Sequence, residues 1–144
     1  MPHWLDAGGA FLCKAEYCKQ KEISVKVNIL GTNYTIKTKT DEEIAKIMGG
    51  SPGEYGGYCQ EYTKEIVVSK MNNESAYEKV TPEEKEAIRR ETLRHEIIHA
   101  FLNESGLSSS SAGTACWAKN EEMVDWIAIQ FPKLLKVFET ADAL

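Results

Sequence analysis

The chain lacks a long apolar run. A membrane-spanning helix needs roughly 18 or more consecutive apolar residues, and no such stretch is present, so we expect no membrane partner. Basic residues are also fewer than acidic ones: the chain has 17 lysines and arginines and 22 aspartates and glutamates, which gives a formal net charge of -5. This balance argues against a nucleic-acid partner, whose binding surfaces are normally basic. Asp6 interrupts the apolar segment of a secretion signal, so we expect a cytoplasmic chain.

Cysteine is scarce as well. The four cysteines are Cys13, Cys18, Cys59 and Cys116. Cys13 and Cys18 could form a disulfide or join a metal site, but no second close pair completes a zinc-binding pattern. We therefore expect free thiols in a reducing cytoplasm.

Two of the three histidines define the most informative stretch of the chain. His95 and His99 enclose the sequence H-E-I-I-H, which has the form H-E-x-x-H. Helix residues four apart lie on one face, so both imidazoles can reach one metal ion. Glu96 lies beside them, placed to take a proton from a metal-bound water. The alternative is a pair of helix histidines without a ligand, which the specificity of the motif and its helical context disfavour.

The surrounding residues predict a helix with a marked start. Thr81 can act as the N-cap, Pro82 suits the first helical position, and Glu84 can complete a capping box. No glycine or proline interrupts residues 83–103, and Gly106 marks the end. The second half of this helix is apolar on nearly all sides, which predicts burial and places the histidines at the base of a cleft.

A catalytic zinc site usually has three protein ligands. His3 is far from the motif, so the third ligand should be a carboxylate or a cysteine. Glu121 and Asp125 are four residues apart at the start of a second predicted helix, so one can bind metal while the other orients a ligand histidine through its free ring N–H. Alone, this segment would be interpreted as an acidic helix N-terminus that complements the helix dipole. Its position downstream of the histidine motif favours the metal-binding role.

The two motifs together, His95-Glu96-x-x-His99 and Asn120-Glu121-x-x-x-Asp125, resemble those of the gluzincin metallopeptidases, the thermolysin-like group. The resemblance spans residues 80–131 and implies that Glu121 is the third ligand and that Asp125 supports the first histidine. The chain is much shorter than a full gluzincin and is more similar to minimal single-domain members or to small phage and prophage H-E-x-x-H proteins.

The resemblance also implies a function. It implies one zinc ion per chain, a peptide or protein substrate, and endopeptidase hydrolysis by a metal-bound water that Glu96 activates. Large gluzincins stabilise the oxyanion with an extra histidine or tyrosine, and no further histidine follows the motif here. The candidates are Tyr55, Tyr58 and Tyr62, each of which could instead be a packing or rim residue.

Two alternative functions compete with this one. The first is a zinc-binding structural or interaction protein of phage type without significant turnover. Glu96 discriminates in principle, because a purely structural site does not need a base. The second is a three-histidine zinc protease acting at DNA, which requires a third histidine after the motif, and the sequence has none.

The remaining pattern predicts an α+β fold. Residues 1–22 form an N-terminal appendage and residues 23–144 a single zincin-like domain. Alternation and turn residues predict strands at residues 23–29, 34–39, 58–62 and 65–69, with a short helix ending at Met48. This small antiparallel or mixed sheet should have the helices packed on one face. The hairpin of residues 58–69 is the candidate for pairing with an extended substrate.

The C-terminal segment is predicted to be helical from residue 119. Pro132 predicts a break or kink within it. Its apolar residues are expected to contact the core: Trp126, Ile127, Phe131, Leu134, Leu135 and Phe138.

Overall fold

The computed structural model describes residues 24–109 and 116–144. The predicted appendage at residues 1–22, with Cys13 and Cys18, lies outside them. The elements in chain order are β1 (Val25–Ile29), β2 (Thr32–Lys39), α1 (Asp41–Met48), β3 (Gly57–Gln60), β4 (Glu65–Ser69), α2 (Pro82–Glu104), a 3-10 turn (Trp117–Lys119) and α3 (Glu121–Thr140). The predicted α+β class is confirmed. Among the described helices, none combines the length and apolarity needed to cross a membrane.

The four strands form one mixed sheet in the order β1-β2-β4-β3. β2 and β4 are parallel, and the other two pairs are antiparallel. The predicted hairpin is confirmed, but β3 stops at Gln60, and residues 61–64 make the turn. Lys64 closes this turn with a positive φ of 55°. The hairpin leaves β3 at one edge of the sheet.

Both faces of the sheet are covered by helices. Ile66 and Val67 are neighbours on β4, so their side chains point to opposite faces. Ile66 packs in a cluster with Ala100 of α2, whereas Val67 packs in a cluster with Ile44 of α1. The prediction that the helices share one face is therefore wrong for α1. The physical reason is the parallel pairing of β2 with β4, which requires a crossover connection, and α1 within it covers the second face.

Helix α2 begins as its sequence predicts. Thr81 Oγ1 accepts a hydrogen bond from Glu84 N (3.2 Å), and Glu84 Oε2 accepts one from Thr81 N (2.8 Å), which completes the capping box. Burial is less complete than predicted, because only Glu96 and Ala100 are buried and Phe101 is 42% exposed. The sheet covers one side of α2 and α3 another, which leaves the remaining surface open.

Helix α3 runs without interruption through Pro132, so the predicted break is absent. Proline has no backbone N–H, and the carbonyl four residues earlier, that of Ala128, loses its helical donor. Arg94 of α2 supplies the replacement, because its Nε donates to the Ala128 oxygen at 2.8 Å. The proline therefore creates a docking point between α2 and α3 instead of ending the helix.

The buried apolar residues of α3 are not the ones that the sequence predicts. Val124 and Ala128 are its buried residues. Trp126, Phe131 and Phe138 are exposed by 56%, 48% and 43%, so their predicted core role is wrong. A single helix face meets α2, and the large side chains on the other faces have no described element to cover them.

Glu104, the last residue of α2, ties that helix to the sheet. Its carboxylate accepts hydrogen bonds from Thr32 Oγ1 (2.7 Å) and Tyr34 OH (2.8 Å) and pairs with Lys64. The hydrogen bond from Lys64, followed by those from Thr32 and Tyr34, lowers the pKa of this carboxyl to about 2. The position of α2 over the sheet therefore depends partly on a charge.

Glu104→Gln should make the stability of the protein less dependent on pH. A carboxyl whose pKa falls from 4.5 to about 2 on folding stabilises the protein above 4.5, and this stabilisation is lost as the pH drops through about 2. The unfolding free energy of the wild type should therefore fall more steeply with acidification in this window than that of the variant. Denaturant titrations across the window test this, with the exposed Glu78→Gln as control. Equal slopes for wild type and Glu104→Gln would contradict the assignment.

Candidate metal centre

Two helices supply the predicted metal ligands. His95 and His99 lie one turn apart on α2. The Asn120 side chain caps α3 by accepting from Met123 N at 3.0 Å, which makes Glu121 the first residue of that helix. The cap explains the Asn-Glu order of the second motif, because it fixes where the helix begins and therefore where Glu121 lies.

The three ligand atoms converge. His95 Nε2 and His99 Nε2 are 2.9 Å apart, and Glu121 Oε2 lies 3.1 Å from the first and 3.3 Å from the second. Among the described residues, these three form the group of histidine and carboxylate side chains that could together hold a metal ion. Glu122 lies outside this group, as the 100° step between successive helix residues requires.

The hydrogen bonds of the two Nδ1 atoms determine the tautomers of His95 and His99. His99 Nδ1 lies 2.6 Å from the carbonyl oxygen of Ala118, which can only accept, so this nitrogen carries the proton. His95 Nδ1 lies 2.8 Å from Asp125 Oδ1, a carboxylate oxygen that can accept a hydrogen bond from the protonated Nδ1. In the neutral rings both Nε2 atoms then present lone pairs. Two lone pairs and a carboxylate oxygen therefore face each other with no donor among them, an arrangement that a cation stabilises.

The ligand set fits zinc. Zinc bonds of about 2.0–2.1 Å in tetrahedral geometry place ligand atoms about 3.3 Å apart, close to the separations found here. Two imidazoles and one carboxylate are common ligands for zinc and are also accepted by other divalent metals. The histidine side chains are 19% and 13% exposed and that of Glu121 is 66% exposed, so the three ligands leave one side open to the cleft.

Glu96 lies beside these ligands and is not one of them. It is 6% exposed, and its carboxylate accepts no hydrogen bond from any described residue. Burial raises the pKa of its carboxyl to about 7, with a smaller lowering effect from His95 and a raising effect from Glu121. A cation held by the neighbouring ligands would favour the ionised form.

The ligands line a cleft of about 550 Å³ between α2 and the edge strand β3. Gly57, the first residue of β3, allows the strand to approach the helix. A Cβ at this position would lie 2.5 Å from the Val67 carbonyl oxygen and 3.0 Å from Thr92 Cγ2. Glycine is therefore required where the sheet edge passes the Glu96 side chain.

The three predicted tyrosines all line this cleft, in different surroundings. Tyr58 is buried in the cluster with Ile44, and its hydroxyl accepts from Lys39 Nζ at 3.2 Å. Tyr55 packs at the edge of the same cluster, and Tyr62 lies in the β3–β4 turn with 91% of its surface exposed. Tyr55 and Tyr62 are the two with hydroxyls that no described residue binds.

Sequence reasoning missed several neighbours of the ligands. Ala118 orients His99 through its backbone carbonyl. Every residue type has this group, so the sequence does not indicate the contact. Glu91 and Asn103 also line the site, and helical spacing could have found them, because residues 91, 95, 99 and 103 follow each other at intervals of four. Cys59 lines the cleft as a free thiol whose pKa burial raises to about 12, so it is not a nucleophile near neutral pH.

Comparisons of the chain with protein-family models, curated proteins and solved structures found no match. The function is therefore inferred from the site and its surroundings.

Removing the Arg94 side-chain donor should loosen the contact between the ligand-bearing helices. Arg94→Met leaves the Ala128 carbonyl without a donor from the described residues, which should cost about 1–3 kcal/mol of stability. Pro132→Ala restores the backbone N–H that can bond to this carbonyl. The double variant should therefore be more stable than Arg94→Met alone, which denaturant unfolding measures as a double-mutant cycle. Strictly additive effects of the two substitutions would contradict the docking role of Arg94.

Purified protein reconstituted with zinc should hold about one ion per chain. Glu121→Gln should weaken zinc binding strongly, because it removes one of three ligands, and Asp125→Asn should weaken it about 10–100-fold by removing the acceptor for His95 Nδ1. Elemental analysis and competition with a chromogenic chelator measure both effects. Glu122→Gln is the matched control and should bind normally; loss of metal in that variant would show that the ligand has been misassigned.

Proposed function

We propose that this chain is a zinc-dependent peptidase of the gluzincin type, with a zincin-like arrangement of sheet and helices. The main support is the convergence of His95, His99 and Glu121 beside the buried carboxylate of Glu96, which no described residue pairs with. A structural zinc site is normally closed by four ligands and requires no free carboxylate next to it. The open side of this site and the position of Glu96 favour catalysis.

In this proposal Glu96 is the general base. Zinc, when bound, polarises the scissile carbonyl and makes water a stronger acid. Glu96 accepts a proton from the attacking water and then donates it to the nitrogen of the leaving amine. No donor among the described residues binds its carboxylate, which leaves both oxygens available to exchange this proton.

Asp125 and Ala118 act through the two histidines. Each accepts a hydrogen bond from the Nδ1–H of one ring and so keeps the Nε2 lone pair of that ring directed at the metal position. The carboxylate on His95 also strengthens that ring as a ligand. These two acceptors fix the orientation of the site before substrate arrives.

The edge strand β3 provides the surface for an extended peptide. Its second edge is not paired with any described strand, and it borders the cleft that contains Glu96. A peptide added there would gain backbone hydrogen bonds. Tyr55 and Tyr62, whose hydroxyls no described residue binds, are the better candidates for contact with the developing oxyanion, whereas Tyr58 is held in the core.

Glu96→Gln should abolish most hydrolysis without loss of metal. The substitution keeps the side-chain size and removes the base, so the zinc content and fold should be retained while peptide cleavage falls by at least about 10²-fold. Cleavage of a broad peptide library, followed by mass spectrometry, measures the change. Glu122→Gln removes an equal charge outside the cleft and should leave cleavage unaffected.

Two results would oppose the proposal in different ways. Equal cleavage by wild type and Glu96→Gln would show that Glu96 is not the base. A zinc-loaded wild type that cleaves no peptide in the library would favour the alternative of a zinc-binding structural or interaction protein.

A further inference from the structure

The cleft continues past the metal ligands into a second cavity of about 200 Å³. Gly56, Gly57, Glu91 and Thr92 line it, together with three residues of the metal centre, His95, Glu96 and Asp125. Glu91 lies one helical turn before His95, and Asn103 lies one turn after His99. The floor of the whole cleft is therefore a single stripe of α2, about 18 Å long at 1.5 Å per residue, with the metal ligands in its middle.

The two cavities differ in charge. The cavity at the Glu91 end is lined by three carboxylates and by no lysine or arginine of the described residues. The larger cavity is mixed, because Lys119 lines it together with Glu61, Glu96 and Glu121. The arginines near Glu91 in the sequence do not line this cavity: Arg90 pairs with Glu86 at 2.7 Å, and Arg94 Nε donates to the Ala128 carbonyl.

A second observation marks the acidic cavity as a place for a ligand. Glu96, 6% exposed and without a hydrogen-bond donor among the described residues, lines this cavity as well as the larger one. Gly56 and Gly57 keep the opposite wall free of side chains. The cavity therefore has room for a side chain of a peptide that lies across the ligands.

We propose that the Glu91 end of the cleft is a specificity subsite for a lysine or arginine side chain of the peptide. This inference rests on the proposed function, since it assigns a substrate class to the same cleft. Asp125 Oδ1 accepts from His95, and its second oxygen together with the Glu91 carboxylate forms the acceptor pair for the cation. The cation would face carboxylates in a cavity that no lysine or arginine of the described residues lines.

The test measures binding, so that it does not depend on turnover. Zinc-loaded protein with Glu96→Gln is titrated with fluorescent peptides in which lysine, glutamine or glutamate occupies each position in turn of a neutral host sequence. At one position the lysine peptide should bind about fivefold more tightly than the glutamine peptide, and the difference should shrink at high salt. Glu91→Gln should remove this preference, and Glu91→Lys should shift it toward the glutamate peptide. Glu122→Gln, which removes a charge outside both cavities, should keep it.

Three results would overturn the subsite: no binding by any peptide, no position that prefers lysine, or a lysine preference that survives Glu91→Lys. The proposed peptidase activity can fail separately. If the protein with Glu96 intact cleaves nothing, while the lysine preference and its loss in Glu91→Gln are observed, the subsite is supported and the hydrolytic function is not.

Discussion

Three lone-pair-bearing atoms within 3.3 Å of one another are the constraint on which the rest of the site depends. Without a cation, the two imidazole lone pairs and the carboxylate would repel each other, because both Nδ1 protons are already donated elsewhere. The surrounding groups hold these three atoms in place. The Ala118 carbonyl and Asp125 hold the rings, and the Asn120 cap fixes where Glu121 begins its helix.

The three atoms come from two helices, so α2 and α3 must also be held in a fixed position relative to each other. α2 is positioned over the sheet through Ala100 and through Glu104, whose carboxylate joins its C-terminal end to β2 and to the β3–β4 turn. α3 is positioned on α2 partly through the carbonyl that Pro132 leaves without a helical donor. A residue that normally disrupts a helix thus contributes a point of attachment, because an arginine from the neighbouring helix takes the place of the lost N–H.

The sequence could predict features that depend on local chemistry. The capping box at Thr81, the strand pattern of residues 65–69 and the spacing of His95 and His99 all follow from short-range rules, and the structure agrees with them. The placement of α1 on the second face, the exposure of Trp126 and the continuity of α3 could not be predicted in this way. Each depends on which surfaces other elements cover or which distant donor is available. Similarly, Ala118 contacts His99 through its backbone oxygen, and the identity of its side chain does not predict this contact.

The free edge of β3 has a consequence for the behaviour of the protein at high concentration. An unpaired strand edge is a template for association between copies, and natural sheets limit this risk with short, charged or interrupted edges. β3 is four residues long, begins with Gly57 and leads directly into Glu61 of the turn. An edge of this length offers few backbone hydrogen bonds to a second sheet. The strand proposed to pair with a peptide is therefore also a poor starting point for aggregation.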